Sequence, residues 1–143
     1  MAATVRIAES DEDIRRCFAV MRQLRLDLIE SEFVPRVRRQ GQAGYRIAFV
    51  DDDGRVTAVA GYRYLESLSS GKFLYVDDLV TDEHERSKNY GRQLFEWLTA
   101  QARAAGCDNL ELDSGVQRFR AHQFYLRERM VISSHHFRLA LKE

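Results

Sequence analysis

The chain has one proline in 143 residues, only two cysteines and no net charge, its 22 basic residues balancing 22 acidic ones. Each scarcity excludes a class of protein. Cys17 and Cys107 are too few for the disulfide framework of a small secreted module. Zero net charge leaves no global field to draw the chain to nucleic acid or to an anionic membrane, so any anion site must be local. No apolar run approaches the length of a membrane span, and the N-terminal stretch is polar and charged from Arg6 to Arg16. No internal repeat, linker or low-complexity tract interrupts the chain. With 45% hydrophobic residues it has enough apolar mass for one core, and a single cytoplasmic domain over residues 1–143 is the expectation, with no nucleic-acid and no membrane partner.

The order of elements can be read from periodicity. Thr4-Val-Arg-Ile alternates as a short strand, and Ser10 stands as a helix N-cap before the acidic residues 11–13. Ile14, Cys17, Phe18, Met21, Leu24 and Leu28 then follow at helical spacing. A second helix is expected from residue 31 to about 40, with Pro35 limiting its regularity. Tyr45-Arg-Ile-Ala-Phe-Val and Arg55-Val-Thr-Ala-Val-Ala-Gly-Tyr-Arg-Tyr-Leu flank Asp51-Asp-Asp-Gly54, the composition of a hairpin turn. A third strand is expected over 72–81. Leu94, Trp97, Leu98, Ala102 and Ala105 mark one face of a helix closed by Gly106, and Asn109-Leu-Glu-Leu-Asp is a brief strand. A helix of that length between two strands implies a right-handed crossover and a parallel pair. Residues 117–128 read as a helix, and Phe137, Leu139 and Leu141 at period two predict a closing strand over 132–141.

The most informative stretch is Tyr75-Val-Asp-Asp-Leu-Val-Thr-Asp-Glu-His-Glu-Arg-Ser-Lys-Asn-Tyr-Gly-Arg-Gln-Leu-Phe. It reads as a strand, a basic turn and the start of an amphipathic helix. The first turn of a helix has backbone N–H groups without intrahelical partners and carries the positive end of the dipole, so a phosphate is stabilised there. Arg86, Lys88 and Arg92 add three cations. Such a cluster opposes the dipole unless an anion is present, which favours a ligand. The physics alone does not choose among nucleotides, dinucleotides and coenzyme A.

Arg86-Ser-Lys-Asn-Tyr-Gly91 resembles the signature of the GCN5-related N-acetyltransferases, in which Arg or Gln is followed after two residues by Gly, then one residue and Gly or Ala. It matches at the first and last positions, and Ala121-His-Gln-Phe124-Tyr125 resembles a second block of that family, Ala-x-x-Phe-Tyr. The resemblance implies an α/β (α+β) fold: a mixed, mostly antiparallel central sheet with a parallel splayed strand pair, flanked by helices on both faces. Asn89 replaces the usual first glycine, at a cost within roughly 1 kcal/mol if the loop needs a left-handed residue there. Arg118 and Met130-Val131 also depart from the family pattern.

The resemblance further implies acetyl-CoA as cosubstrate and transfer of acetyl to a small-molecule or peptide amine by direct attack in a ternary complex. Leu79, Val80 and Thr81 would hold the pantetheine arm by their backbone, while Arg86, Ser87, Lys88, Asn89, Tyr90, Gly91 and Arg92 would grip the pyrophosphate. An amine with a pKa near 10.4 is only about 0.04% neutral at pH 7, so a base is needed. Asp77 and Asp78 lie on opposite faces of an ideal strand, so one of them is expected to face the substrate. Asp77, matching a glutamate of polyamine-acetylating relatives, is assigned that role through water, and Tyr125 that of the acid protonating the departing thiolate. By pattern alone Tyr125 is a core aromatic and the two aspartates are a solvated strand end.

Other residues carry less. His84, His122, His135 and His136 lack metal-ligand spacing, and no metal is expected. Cys17 is read as core packing and Cys107 has no histidine neighbour, against a cysteine nucleophile. Phe33, Tyr62, Tyr64 and Tyr75 are candidates to line an acceptor pocket, and Glu66, Asp77 and Asp78 favour a cationic acceptor. Relatives commonly dimerise, and the last strand offers an edge for a homodimer. Two other functions remain in view: a catalytically weak acyl-CoA-binding or regulatory module, motivated by Asn89, Arg118 and Met130, and a nucleotide-binding protein.

Overall fold

Asp53 and Gly54 both adopt positive φ (54° and 85°), the requirement of a two-residue turn whose twist matches antiparallel strands. The turn joins β2 (Arg46–Asp52) to β3 (Arg55–Ser67), and Asp51 accepts the Gly54 N–H at 2.9 Å. In the computed structural model, which describes residues 3–142, this hairpin is the centre of a five-stranded sheet in the order β1-β2-β3-β4-β5. β1 spans Thr4–Ile7, β4 Gly71–Thr81 and β5 Asn109–Leu112. The first three pairings are antiparallel and β4–β5 is parallel, as the crossover requires.

The chain forms two compact units, residues 1–111 and 112–143. In the first, the period of two along the strands sorts the core into layers. Ile47, Phe49 and Val59 pack with Ile14, Cys17, Val20, Met21, Phe33 and Val37, which come from α1 (Asp11–Arg16), α2 (Phe18–Leu24), the residue between them, and α3 (Glu30–Gly41). On the other face Tyr62 meets Trp97 of α4 (Tyr90–Ala104) edge to face at 5.9 Å. Phe49 and Ile47 are 0% and 1% exposed, each contributing about 1.5–3 kcal/mol.

Local signals place most ends. The Ser10 hydroxyl accepts the Asp13 N–H at 3.1 Å, and Gly106, at φ 76°, closes α4 as Cys107 donates back to the Ala102 carbonyl. The expected single first helix is two: the Cys17 N–H turns back to Ile14 at 3.0 Å, a tighter step that breaks the run. It also stops at Leu24 rather than near Leu28. Pro35 is accommodated inside α3, whose first turn is tight, with Glu32 donating to the Ile29 carbonyl.

The second unit contains α5 (Phe119–Arg127). It ends with Arg129 in the left-handed region and Met130 donating to the Tyr125 carbonyl at 3.0 Å. The strand expected over 132–141 does not form. Ile132, Phe137, Leu139 and Leu141 are 76% to 92% exposed. Alternation predicts a strand only where another strand takes up its backbone groups, and among the described residues none pairs with this segment. No helix among them is long and apolar enough to cross a membrane.

Candidate active site

Beyond Thr81 the chain makes a short 3-10 turn, Glu83–Glu85, and then two left-handed residues, Ser87 (φ 70°) and Asn89 (φ 67°, ψ 16°). Asn89 is the N-cap of α4 but its side chain makes no capping hydrogen bond, and the first turn holds no acid. The first-turn N–H groups at 90–92 are thus left for an anion, the arrangement that favours phosphate. The loop is fastened from outside. Tyr90 donates to Asp52, and Glu85, its side chain 10% exposed, takes Lys88 at 2.7 Å and also Arg55. Lys88 and then Arg55 hold the Glu85 carboxyl below its usual range. Arg92 pairs with Glu96 at 3.0 Å, whereas Arg86 is exposed and has no partner among the described residues. Gly91 lies against β4, where a Cβ would come within 2.9 Å of the Thr81 hydroxyl.

Upstream on β4, the register against β3 slips: Gly61 faces Asp78 but Tyr62 faces Val76. Asp77 is the extra residue of a β-bulge, which breaks the alternation of side chains. Asp77 and Asp78 therefore line one cavity together, correcting the expectation that only one of them would face it. That cavity, of about 600 Å³, also has walls from the α2–α3 segment and from Phe33, Arg36, Val37 and Gln40 of α3, spaced along one helical face.

Neither carboxylate is bare. Asp77 receives Arg63 Nε at 3.0 Å and Nη2 at 2.8 Å, a forked pair. Asp78 accepts the Tyr45 hydroxyl at 2.5 Å and Arg25 Nε at 2.7 Å, while Arg25 also donates to the Asp77 carbonyl at 2.8 Å. Burial pushes the Asp77 carboxyl up, and Arg63 opposes that without reversing it. Burial and the adjacent Asp78 push the Tyr45 phenol well above its ordinary value. Gly61 makes room: a Cβ there would fall 1.9 Å from the Tyr45 hydroxyl and 2.4 Å from Asp78 Oδ2.

At its other edge β4 gains β5 where Asp108 donates to the Lys72 carbonyl at 2.6 Å. Four residues of β5 against eleven of β4 leave the later part of β4 extending past its parallel neighbour. In the second unit, burial raises the Tyr125 phenol, and the Arg118 guanidinium pulls the other way.

A statistical model of the Acetyltransferase (GNAT) family matches residues 10–129. The chain belongs to this family. GNAT enzymes draw acetyl groups from acetyl-CoA, and the chain is an acetyl-CoA-dependent N-acetyltransferase. It is 32% identical over 117 residues to an uncharacterized N-acetyltransferase of Bacillus subtilis (strain 168), YhdJ, covering 81% of this chain and 82% of that one. It is 38% identical over 66 residues to the aminoalkylphosphonate N-acetyltransferase of Salmonella typhimurium, covering 46% and 43%. Among solved structures, glucosamine-6-phosphate N-acetyltransferase from Arabidopsis thaliana superposes with a TM-score of 0.76 at 22% identity, covering 99% of this chain and all of that one. A GNAT family acetyltransferase of Staphylococcus aureus gives 0.82 at 15% identity, covering 99% and 100%. These two likenesses concern the fold.

Within this GNAT chain the residues expected at the site fall into four places. Arg86 to Arg92 form the loop and first turn of α4, Leu79, Val80 and Thr81 end β4, and Asp77 lines the cavity. Val80 has its side chain in the core, so only its backbone is available. Tyr125 lies in the second unit. Of the aromatic candidates Phe33 and Tyr75 line the cavity; Tyr62 packs under α4, Tyr64 lies against Tyr62, and Glu66 is not a lining residue. The sequence reading missed Arg25, Arg36, Tyr45 and Arg63. The partners of Asp77 and Asp78 lie 14 to 53 residues away, and only the alternating pattern around Arg63 offered a local cue.

Proposed function

We propose that this acetyltransferase passes acetyl from acetyl-CoA directly to a primary amine in a ternary complex. The observation that carries the reading is the continuity of β4, which has the Asp77 cavity on its middle and the open N-terminus of α4 directly beyond its end. Thr81 and the residues before it offer backbone groups to the pantetheine arm. The first-turn N–H groups of α4, with Ser87, Asn89 and the exposed Arg86, take the pyrophosphate, while Lys88 and Arg92 add charge nearby. A backbone N–H near Leu79 stabilises the tetrahedral oxyanion.

Asp77 accepts the proton of the incoming ammonium through water. Its elevated pKa makes it a stronger base than an exposed aspartate, and a carboxylate forked to one arginine retains lone pairs for a water. Tyr125, kept protonated by burial, gives its proton to the leaving thiolate, and Arg118 eases the charge left behind. We take both compact units as one functional domain, because the family match runs across their boundary. Its free cysteines suit the cytoplasm.

The left-handed Asn89 supports turnover over the weak-module reading, since the departure from glycine keeps the backbone shape the loop needs. Thermal unfolding with acetyl-CoA, coenzyme A, ATP and NAD in parallel, followed by thiol release over a panel of amines, tests the proposal. Stabilisation by both coenzyme A forms with thiol release supports it. Stabilisation without release from any amine supports the module, and stabilisation by ATP or NAD alone supports a nucleotide-binding protein.

A further inference from the structure

The charges lining the cavity do not cancel at random. Three acids, Asp27, Asp77 and Asp78, face two lining arginines, Arg25 and Arg36, with Arg63 behind Asp77. Asp77 is matched by Arg63, and Asp78 by Arg25 and the Tyr45 hydroxyl. The two aspartates on β4 therefore present little net negative charge to a substrate. Two lining charges remain unmatched. Arg36 on α3 and Asp27 in the segment before it are both exposed, and neither has an ion pair or hydrogen bond among the described residues.

We infer that the acceptor is an amine carrying its own anionic group, a carboxylate or phosphate-type acid, and that Arg36 is the specificity residue that binds this group. The inference rests on the acetyltransfer reading above and names the substrate class of that same site. Arg36 is suited to the task because its planar fork matches the oxygens of carboxylate and phosphate, and among the described residues no carboxylate is paired with it. Phe33, Val37 and Gln40 place it on the wall of the cavity, with Asp77 and Asp78 across on β4. A short acid-bearing amine can then put its acid at Arg36 and its nitrogen toward the bulge. The ammonium loses one proton to Asp77 through water and the free amine attacks the acetyl carbonyl carbon. The C–S bond breaks with its electron pair leaving on sulfur, which takes the Tyr125 proton, and the second proton on nitrogen passes to water to leave the amide. A diamine or polyamine would bring a second cation against Arg36, an unfavourable pairing.

The test uses the full chain and four short amines: β-alanine and phosphoethanolamine, which carry an acid, and propylamine and ethanolamine, which do not. The expected result is a kcat/KM at least about tenfold higher for the acid-bearing pair. Arg36→Gln should remove that preference through KM on the acid-bearing pair and leave the acetyl-CoA thermal shift unchanged. Asp27→Asn should hold or strengthen the binding of phosphoethanolamine, since it removes a nearby negative charge. Equal use of all four amines by the wild type, or an equal loss on all four in Arg36→Gln, overturns the inference. If no amine is acetylated, the acetyltransfer reading fails on its own, and calorimetric titration with phosphoethanolamine still decides the cavity. Binding that Arg36→Gln abolishes upholds an acid-binding Arg36; no binding, or binding indifferent to Arg36→Gln, overturns it.

Discussion

Asp77 and Arg63 form a forked ion pair, with contacts of 2.8 and 3.0 Å, on the one residue of β4 that the bulge leaves without a partner on β3. The arginine lowers the carboxyl while burial raises it, and burial prevails. With Asp77 as base, activity is present above its elevated pKa and lost as pH falls through it. Arg63→Met removes the opposing influence, so the acid limb of kcat/KM should move to higher pH. Asp77→Asn should lower kcat by about 10²–10⁴-fold. An acid limb that stays in place in Arg63→Met assigns the titration to another group.

Binding and proton donation should separate by mutation. Tyr125→Phe removes only the phenolic proton, so kcat should fall by about 10²-fold with little change in coenzyme affinity. Gly91→Asp introduces a Cβ 2.9 Å from the Thr81 hydroxyl and a negative charge in the first turn of α4. Coenzyme affinity should drop at least about tenfold. Calorimetry with coenzyme A beside steady-state kinetics distinguishes the two effects, and unchanged turnover in Tyr125→Phe would remove the acid role.

Gly61 has no room for a methyl group, because the Tyr45 hydroxyl and Asp78 fill the space. Gly61→Ala should force that pair apart and leave a buried phenol without its acceptor, destabilising the fold by about 1–3 kcal/mol. Denaturant unfolding gives the size of the loss. Tyr45→Phe in the Gly61→Ala background should recover part of it, and equal stability of wild type and Gly61→Ala would contradict the contact.

At Asn89 the backbone, not the amide, is what the loop requires, since the side chain makes no capping bond. Asn89→Gly should hold coenzyme affinity within about threefold, whereas Asn89→Val, β-branched at φ 67°, should cost about 1–2 kcal/mol in stability or binding. Parallel thermal melts with and without coenzyme A report both. A valine variant as stable and as tight-binding as the wild type would show that the loop adopts another shape.

Cys17 is 0% exposed and its thiol is pushed up to about 12 by burial. In the unfolded chain a thiol titrates near 8.5, so the folded state holds this proton more tightly. Its contribution to stability is complete below about pH 8.5 and is lost as pH rises toward 12. Cys17→Ala should therefore flatten the alkaline decline in unfolding free energy. In the native wild type Cys17 should resist thiol reagents that label it once the chain is unfolded; rapid native labelling at Cys17 would contradict its burial.

The legible parts of the molecule are those whose cause is local. Asp53-Gly54 specifies its turn by φ, Ser10 caps α1, and Asn89 occupies the left-handed position anticipated for it. The bulge at Asp77 is set by the register of two strands, so sequence alternation wrongly separates it from Asp78. Nothing local singles out Arg25 as a partner of the acids, and the fold alone brings it and Arg63 to them. The segment 132–141 fails in the opposite way, its pattern being local and its pairing not.

The two residues flanking the hairpin turn, Asp52 and Arg55, hold Tyr90 and Glu85 from 38 and 30 positions away. A hairpin of this kind closes in about 1–10 μs, while contacts at that separation wait for the sheet to assemble. Coenzyme affinity during refolding is consequently a timer for long-range closure, and it should appear only after the hairpin signal is complete.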